Sequence, residues 1–186
     1  MKKRQSERIE DTTSKRTLQY QFPNQNPIFM EITCFKTPLG IATITGNENG
    51  ITKITIADEG EISNFIPPVL QEAVTQLQEY FEGSRTYFTF KMNPKGTEFQ
   101  QKVWRALTEI PFGITLSYLD LSKKIGDIKA IRAVASANGK NPLWIVVPCH
   151  RVIGTDGSLT GYAGGLWRKK WLLEHECPSQ QQILLF

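Results

Sequence analysis

The sequence predicts an α+β protein: a small N-terminal α/β domain with an antiparallel sheet, then a mostly helical C-terminal domain carrying a helix-turn-helix. Three observations carry this. Residues 29–57 are rich in β-branched side chains and broken by turn residues, the pattern of a strand meander. Beyond residue 68, apolar residues recur at helical spacing. Hydrophobic residues are 40% of the 186 and charged residues 22%, an ordinary balance for a chain that buries a core. No internal repeat interrupts the pattern.

Residues 1–27 are polar and aperiodic and read as a flexible tail. Their basic start, MKKRQSERIEDTTSKR, is not followed by an apolar stretch, so it is no secretory signal. No apolar run approaches the ~18 residues a membrane helix needs. The expectation is a cytoplasmic protein with no membrane partner. In the meander, Thr37-Pro38-Leu39-Gly40 and Asn47-Glu48-Asn49-Gly50 mark the turns. Asp58 to Pro68 is a loop. Pro67-Pro68 opens a helix whose apolar residues are Val69, Leu70, Ala73, Val74, Leu77, Tyr80 and Phe81, and Gly83 stops it. Tyr87 to Phe90 reads as a short returning strand. The first domain spans 28–92, and Met92 to Gly96 is a linker.

The second domain spans 96–177. Thr97, with Glu98 and Gln100, starts a helix with Phe99, Val103, Trp104 and Leu107 on its apolar face. Ser117 caps the next helix, which ends at Gly126, and another runs from Lys129 to Asn138. Helix, short glycine turn, helix is the helix-turn-helix outline. Asn141-Pro142 breaks the last of these. Ile145 to Val147 reads as a buried strand delivering Cys149. Gly154 to Gly165 is a glycine-rich loop without a phosphate-binding fingerprint. Leu166 to Glu176 is a final helix, with Leu166, Trp167, Trp171, Leu172 and Leu173 inward. Residues 178–186 form a C-terminal tail.

Cysteines stand at 34, 149 and 177 and histidines at 150 and 175. An odd, widely spaced cysteine set argues against a disulfide framework, and no paired Cys/His set suggests zinc. No metal and no cofactor are expected, and at least one thiol is free in a reducing compartment. The net charge of +4 is mild. Lys123, Lys124, Lys129, Arg132 and Lys140 cluster on the helical pair, opposed only by Asp127. Such a segment suits a polyanion or is simply a solvated face.

Cys149-His150 admits two readings: a reactive thiol beside a base, or a structural cysteine. On an extended strand the two side chains would point to opposite faces, so they interact only if Pro148 starts a turn or a water bridges them. Glu176 ends the last helix, where the helix dipole disfavours a carboxylate lacking a partner. A histidine would be such a partner, in the general logic of a carboxylate-oriented base. The helix IKAIRAVASANGKN is rich in small residues, with Arg132 the long side chain among Ala133, Ala135, Ser136 and Ala137. Either it packs inside the domain, or it brings its backbone close to DNA while one arginine enters the stack or minor groove.

Together these pieces resemble the O6-alkylguanine-DNA alkyltransferases, also called methylated-DNA–protein-cysteine methyltransferases. The segment PCHRVIG, from Pro148 to Gly154, matches that family's active-site signature. Phe99-Gln100 with Val103-Trp104, Ile110-Pro111 with Gly113, Ser117-Tyr118, Arg132-Ala133-Val134, Asn141-Pro142, Tyr162 with Gly164-Gly165, and Leu172-Leu173 with Glu176 occur in the family's order and spacing. The match is dense from Gly96 to Glu176 and consistent over 30–92.

The resemblance implies direct damage reversal in double-stranded DNA containing O6-alkylguanine, and also O4-alkylthymine. The protein would bind through the minor groove as a monomer and flip the lesion into a pocket. Cys149 would accept the alkyl group irreversibly, one per protein. His150 would take the thiol proton through a water, Glu176 would orient His150, and Tyr118 would assist the leaving base. Arg132 would fill the gap in the duplex, with Ala133 and Ser136 beside it at the DNA. Cys149, Val152, Tyr162, Ala163 and Asn141 would form the pocket, with Lys169 near the loop. The chain departs from the pattern at Ala135, where glycine is common, and at Trp144, which is bulky for its place. Rival readings are a non-catalytic alkylated-DNA binder, which would lack the cysteine, a helix-turn-helix regulator, and a cysteine hydrolase.

Overall fold

The computed structural model describes residues 29–177, so both tails, at 1–27 and 178–186, lie outside the described residues. Strands β1 (Glu31–Thr37), β2 (Gly40–Asn47) and β3 (Gly50–Ala57) form an antiparallel meander in the order β1-β2-β3. Both predicted turns are present. Gly50 has φ 122°, a conformation that glycine adopts without strain. Alternate residues of β1 and β2 are buried, because successive side chains point to opposite faces, and in β3 the alternation is offset where its register with β2 shifts at Thr45/Gly46. The buried face takes helix α1 (Pro68–Phe81), whose Leu70, Ala73, Val74, Leu77 and Tyr80 point inward while Val69 is exposed. Fully burying a side chain such as Ile44, Ile54, Leu70 or Leu77 contributes about 1.5–3 kcal/mol each.

Residues Tyr87–Phe90 do not form the predicted strand. Phe90 is buried as a core side chain, and the backbone joins β3 only at Met92, through an isolated bridge to Ile51. The alternation of Tyr, Phe, Thr and Phe reports burial here rather than pairing.

Helix α2 (Glu98–Thr108) begins at a reciprocal capping box between Thr97 and Gln100. Its Val103, Trp104 and Leu107 are buried, and Phe99 is exposed. Helix α3 (Tyr118–Ile125) is capped by Ser117 and ends at Gly126, which has φ 94°. A single 3₁₀ turn, Ile128–Ala130, precedes α4 (Ile131–Gly139), so the predicted helix from Lys129 is two elements. The Trp104 indole N–H donates to Ala137 O at 2.9 Å and ties α2 to α4.

Ile145–Val147 is buried, as expected, but it is a turn and not a strand. Ile145 has φ 72°, and Val146 N–H donates to Trp144 O at 2.9 Å, the pattern of a γ-turn, which is rare and strained for a β-branched residue. The next residues with regular structure are a 3₁₀ turn, Cys149–Arg151, and β5 (Val152–Ile153), which pairs in parallel with β4 (Leu116–Ser117). The last helix, α5 (Leu166–Glu176), buries Arg168, Lys169, Leu172 and Glu176, whereas Leu166 and Trp167 are exposed. Its inward face is therefore more polar than predicted. No helix among the described residues is long and apolar enough to cross a membrane.

Candidate active site

The edge of β3 reaches the segment that leads to Cys149. Ile54 N–H donates to Pro142 O at 2.8 Å, and Trp144 N–H donates to Ile54 O at 3.2 Å. Asn141 then holds the strained turn from inside. Its Oδ1 accepts from Leu143 N–H at 2.9 Å, and its Nδ2 donates to Val147 O at 2.7 Å. The same Nδ2 lies 3.1 Å from Cys149 Sγ, so one buried amide sets both the turn and the thiol.

Pro148 does turn the chain. The 3₁₀ geometry buries Cys149, His150 and Arg151 together, instead of sending alternate side chains to opposite faces. His150 Nε2 lies 2.8 Å from Glu176 Oε1, both groups being inaccessible to solvent. Against a carboxylate, that nitrogen carries the proton, which leaves Nδ1 as the basic nitrogen. Nδ1 is buried without a protein hydrogen-bond partner.

Glu176 is the most heavily bonded group of the site. Oε1 also accepts from Arg151 Nη2 at 2.9 Å and from the Tyr80 hydroxyl at 2.8 Å. Oε2 accepts from Arg151 Nε at 2.7 Å and from Gly113 N–H at 3.2 Å. These donors resolve the problem of a carboxylate at a helix C-terminus. Burial alone would raise its pKa, but the His150 and Arg151 hydrogen bonds and charges outweigh it, so the carboxyl is held well below the usual range. Burial pushes the His150 pKa down, and Glu176 offsets that only in part.

Burial pushes the Cys149 thiol up to about 11, with the Asn141 hydrogen bond and the Lys169 charge pulling the other way. Lys169 Nζ is buried and donates to Val152 O and Thr160 O, both at 2.7 Å. Burial brings its pKa down to about 8, against the opposing pull of Cys149. The site is thus built to hold a neutral thiol near a neutral imidazole.

A narrow cleft of about 10 Å³ opens at Cys149, lined by Asn138, Gly139, Asn141, Trp144, Gly161, Tyr162 and Ala163. The Trp144 and Tyr162 rings lie 5.7 Å apart. Gly164 closes the loop over them, since a Cβ there would come 2.8 Å from Trp144. Asn138 Nδ2 donates to the Tyr118 hydroxyl at 3.1 Å, and Asn138 Oδ1 is buried without a protein partner. Burial raises the Tyr118 pKa, so the phenol is protonated and able to donate. Val152 is fully buried and is not among the residues lining the cleft, and its carbonyl is taken by Lys169.

Helix α4 packs one face inside the domain and leaves the other exposed. Val134, Ala137 and Asn138 face inward, while Arg132, Ala133 and Ser136 face solvent. Of the basic cluster, Lys123 and Lys124 are paired with Asp120 and Glu109, both at 2.9 Å. Among the described residues, Lys129, Arg132 and Lys140 are in no ion pair. The sequence alone gives Arg151, Tyr80 and Asn138 no part in the site. Arg151 carried a signal, its place next to His150, whereas Tyr80 read only as an apolar helix position.

Residues 98–178 match the family model described as 6-O-methylguanine DNA methyltransferase, DNA binding domain, and residues 30–94 match that described as 6-O-methylguanine DNA methyltransferase, ribonuclease-like domain. A methylated-DNA–protein-cysteine methyltransferase of Methanosarcina acetivorans is 44% identical over 154 residues, which is 79% of this chain and 98% of that protein. The chain belongs to the methylated-DNA–protein-cysteine methyltransferase family. The constitutive methylated-DNA–protein-cysteine methyltransferase of Bacillus subtilis is 46% identical over 160 residues, covering 81% of this chain and 97% of that one. Among solved structures, the Mycobacterium tuberculosis O6-methylguanine methyltransferase aligns with TM-score 0.72 and 39% identity, over 83% of this chain and 99% of its own. A structure of the same organism's OGT in complex with DNA gives TM-score 0.72 and 43% identity, over 78% and 91%. The methyltransferase fold therefore extends over both halves of the chain.

Proposed function

We propose that this protein repairs DNA by moving an alkyl group from O6-alkylguanine, and from O4-alkylthymine, onto Cys149. The observation that carries the reading is a buried thiol facing a cleft beside a histidine whose other nitrogen is held by a buried carboxylate. The Sγ–C bond forms as the C–O6 bond breaks. The thiol proton passes to His150 Nδ1 through a water, and Glu176 stabilises the imidazolium that results. The departing guanine takes a proton with help from Tyr118, whose hydroxyl is oriented by Asn138.

Nothing in the site can cleave a thioether, so each protein acts once, as a monomer in the reducing cytoplasm. Duplex DNA meets the exposed face of α4, with Ala133 and Ser136 against the minor groove and Arg132 in the gap left by the flipped base. Phosphate contacts without base readout suit a lesion that occurs in any sequence. Asn141, Tyr162 and Ala163 form the pocket wall.

The test is intact and peptide mass after mixing the protein with a duplex holding one O6-methylguanine. The expected result is a gain of one methyl group on the Cys149 peptide, saturating at one per protein, and none for Cys149→Ala, which still binds the lesion. Binding without mass gain would indicate a lesion sensor. A methyl group on Cys34 or Cys177 would place the site elsewhere.

A further inference from the structure

We infer that Tyr80, contributed by the N-terminal helix α1, is a positioning residue for alkyl transfer: its hydroxyl fixes the Glu176 oxygen on which His150 depends. The inference rests on the reading of His150 and Glu176 as the base and its partner. Tyr80 is fully buried, and its ring is accounted for by packing against Phe81, Phe88 and Phe112 at 5.5, 5.6 and 6.2 Å. A phenylalanine would satisfy that packing. The hydroxyl is costly to bury unless it is bonded, and its hydrogen-bond partner is Glu176 Oε1, 96 residues away.

Oε1 is the same oxygen that holds His150 Nε2. It takes three donors, from Tyr80, His150 and Arg151, at 2.8, 2.8 and 2.9 Å. A carboxylate oxygen offers about two lone-pair directions, so the three donors compete for it. The Tyr80 hydroxyl draws charge from the oxygen and weakens its hold on the imidazole proton. It thereby keeps His150 neutral and available as a base, while fixing the carboxylate's rotation.

Tyr80 is itself held at its backbone. His175 Nε2 lies 2.7 Å from Tyr80 O, and the His175 ring stacks on Trp171 at 4.8 Å. Helices α1 and α5 are therefore latched at two points around one residue. The other titratable or charged groups that bear on this cluster are Arg151, Lys169, Tyr162 and His175, whose ring meets Tyr80 edge-on at 5.1 Å and bonds its backbone carbonyl, a bond that Tyr80→Phe keeps.

The experiment is single-turnover methyl transfer to the full chain, as a function of pH, for wild type, Tyr80→Phe and Glu176→Gln, with lesion-DNA affinity measured alongside. Tyr80→Phe should leave affinity within about twofold and lower the maximal rate about tenfold, the size expected for one charge-assisted hydrogen bond that orients a base. The midpoint of the acid limb should move to higher pH, because Oε1 then holds the imidazolium more strongly. An unchanged rate and midpoint in Tyr80→Phe, with a lowered Tm alone, would overturn the inference and leave Tyr80 a structural residue. If Glu176→Gln is also as fast as wild type, the base assignment itself fails. In the unaltered protein, the Tyr80 hydroxyl proton should give a slowly exchanging NMR resonance with a cross-peak to the His150 Nε2 proton. Absence of that resonance would overturn the inference even if Tyr80→Phe did not fold.

Discussion

Burial holds the Cys149 thiol at about 11, so at pH 7 only about one protein in ten thousand carries the thiolate. The free protein is therefore poorly reactive toward adventitious electrophiles, and proton removal belongs to the moment of transfer. Iodoacetamide without DNA should label half-buried Cys34 and Cys177 well before Cys149 at pH 7, and Cys149 should gain on them only toward pH 11. Peptide mass spectrometry checks this, and early labelling of Cys149 would contradict it. Asn141→Ala removes the donor to Val147 O and the acceptor of Leu143 N–H, both buried. It should cost about 2–3 kcal/mol, read from the denaturation midpoint. At this scale the sequence was legible where a residue type conflicts with its place. A carboxylate ending α5 demanded a partner, and His150 is one. Tyr80 and Asn138 raised no such conflict, because a buried tyrosine and a helical asparagine acquire a role only from groups far along the chain.

Caps and breakers set the elements, and each cap is a local chemical event. Thr97→Ala removes the side-chain half of the α2 capping box and should cost about 1 kcal/mol, seen as a lower Tm with transfer chemistry intact. Arg132 is exposed on α4 and is in no ion pair among the described residues. Arg132→Ala should change stability by less than about 0.5 kcal/mol. It should slow repair of a duplex lesion but not reaction with the free O6-methylguanine base. Comparing the two rates isolates the step at which the base leaves the stack. Thr97, Ser117, Gly126 and the hairpin turns were readable because their signals are local. Ile145–Val147 was not, since a run of β-branched residues reports burial and not backbone direction. Its turn is imposed by Asn141 and by the β3 edge. The burial of Arg168 and Lys169 was not legible either, because it depends on partners elsewhere in the chain. Their carbonyl partners, Leu39 and Val152, lie 129 and 17 residues away.

The two halves of the molecule meet through the site itself, so acid should act on both together. Tyr80 reaches Glu176, Ile54 braces the segment before Cys149, and Arg168 bonds Leu39 O at 2.9 Å and Asp58 at 2.6 Å. Glu176 is ionised in the fold below its ordinary value of about 4.3, because the His150 and Arg151 bonds outweigh burial. Its contribution is fully present above that value and is lost as pH falls toward the folded one. His150 is held below its ordinary 6.5 by burial, so the unfolded chain takes that proton first as pH drops. In both cases the unfolded state binds more protons, and both slopes lower stability in acid. On the alkaline side the signs oppose. Lys169, brought from 10.5 to about 8, favours the fold as pH rises between those values, while Cys149, raised from 9.0 to about 11, disfavours it over its own window. Urea midpoints should therefore rise from about pH 8 to 9, where Lys169 acts alone, stay nearly flat from about 9 to 10.5, and fall steadily below about pH 6.5, steepening below about 4.3. The strand signal and the helix signal should be lost in one transition. Glu176→Gln should flatten the steepest acid segment, because its amide has no proton to gain. A variant curve parallel to wild type below pH 4.3 would mean that acid acts through other carboxylates and that Glu176 does not couple the halves.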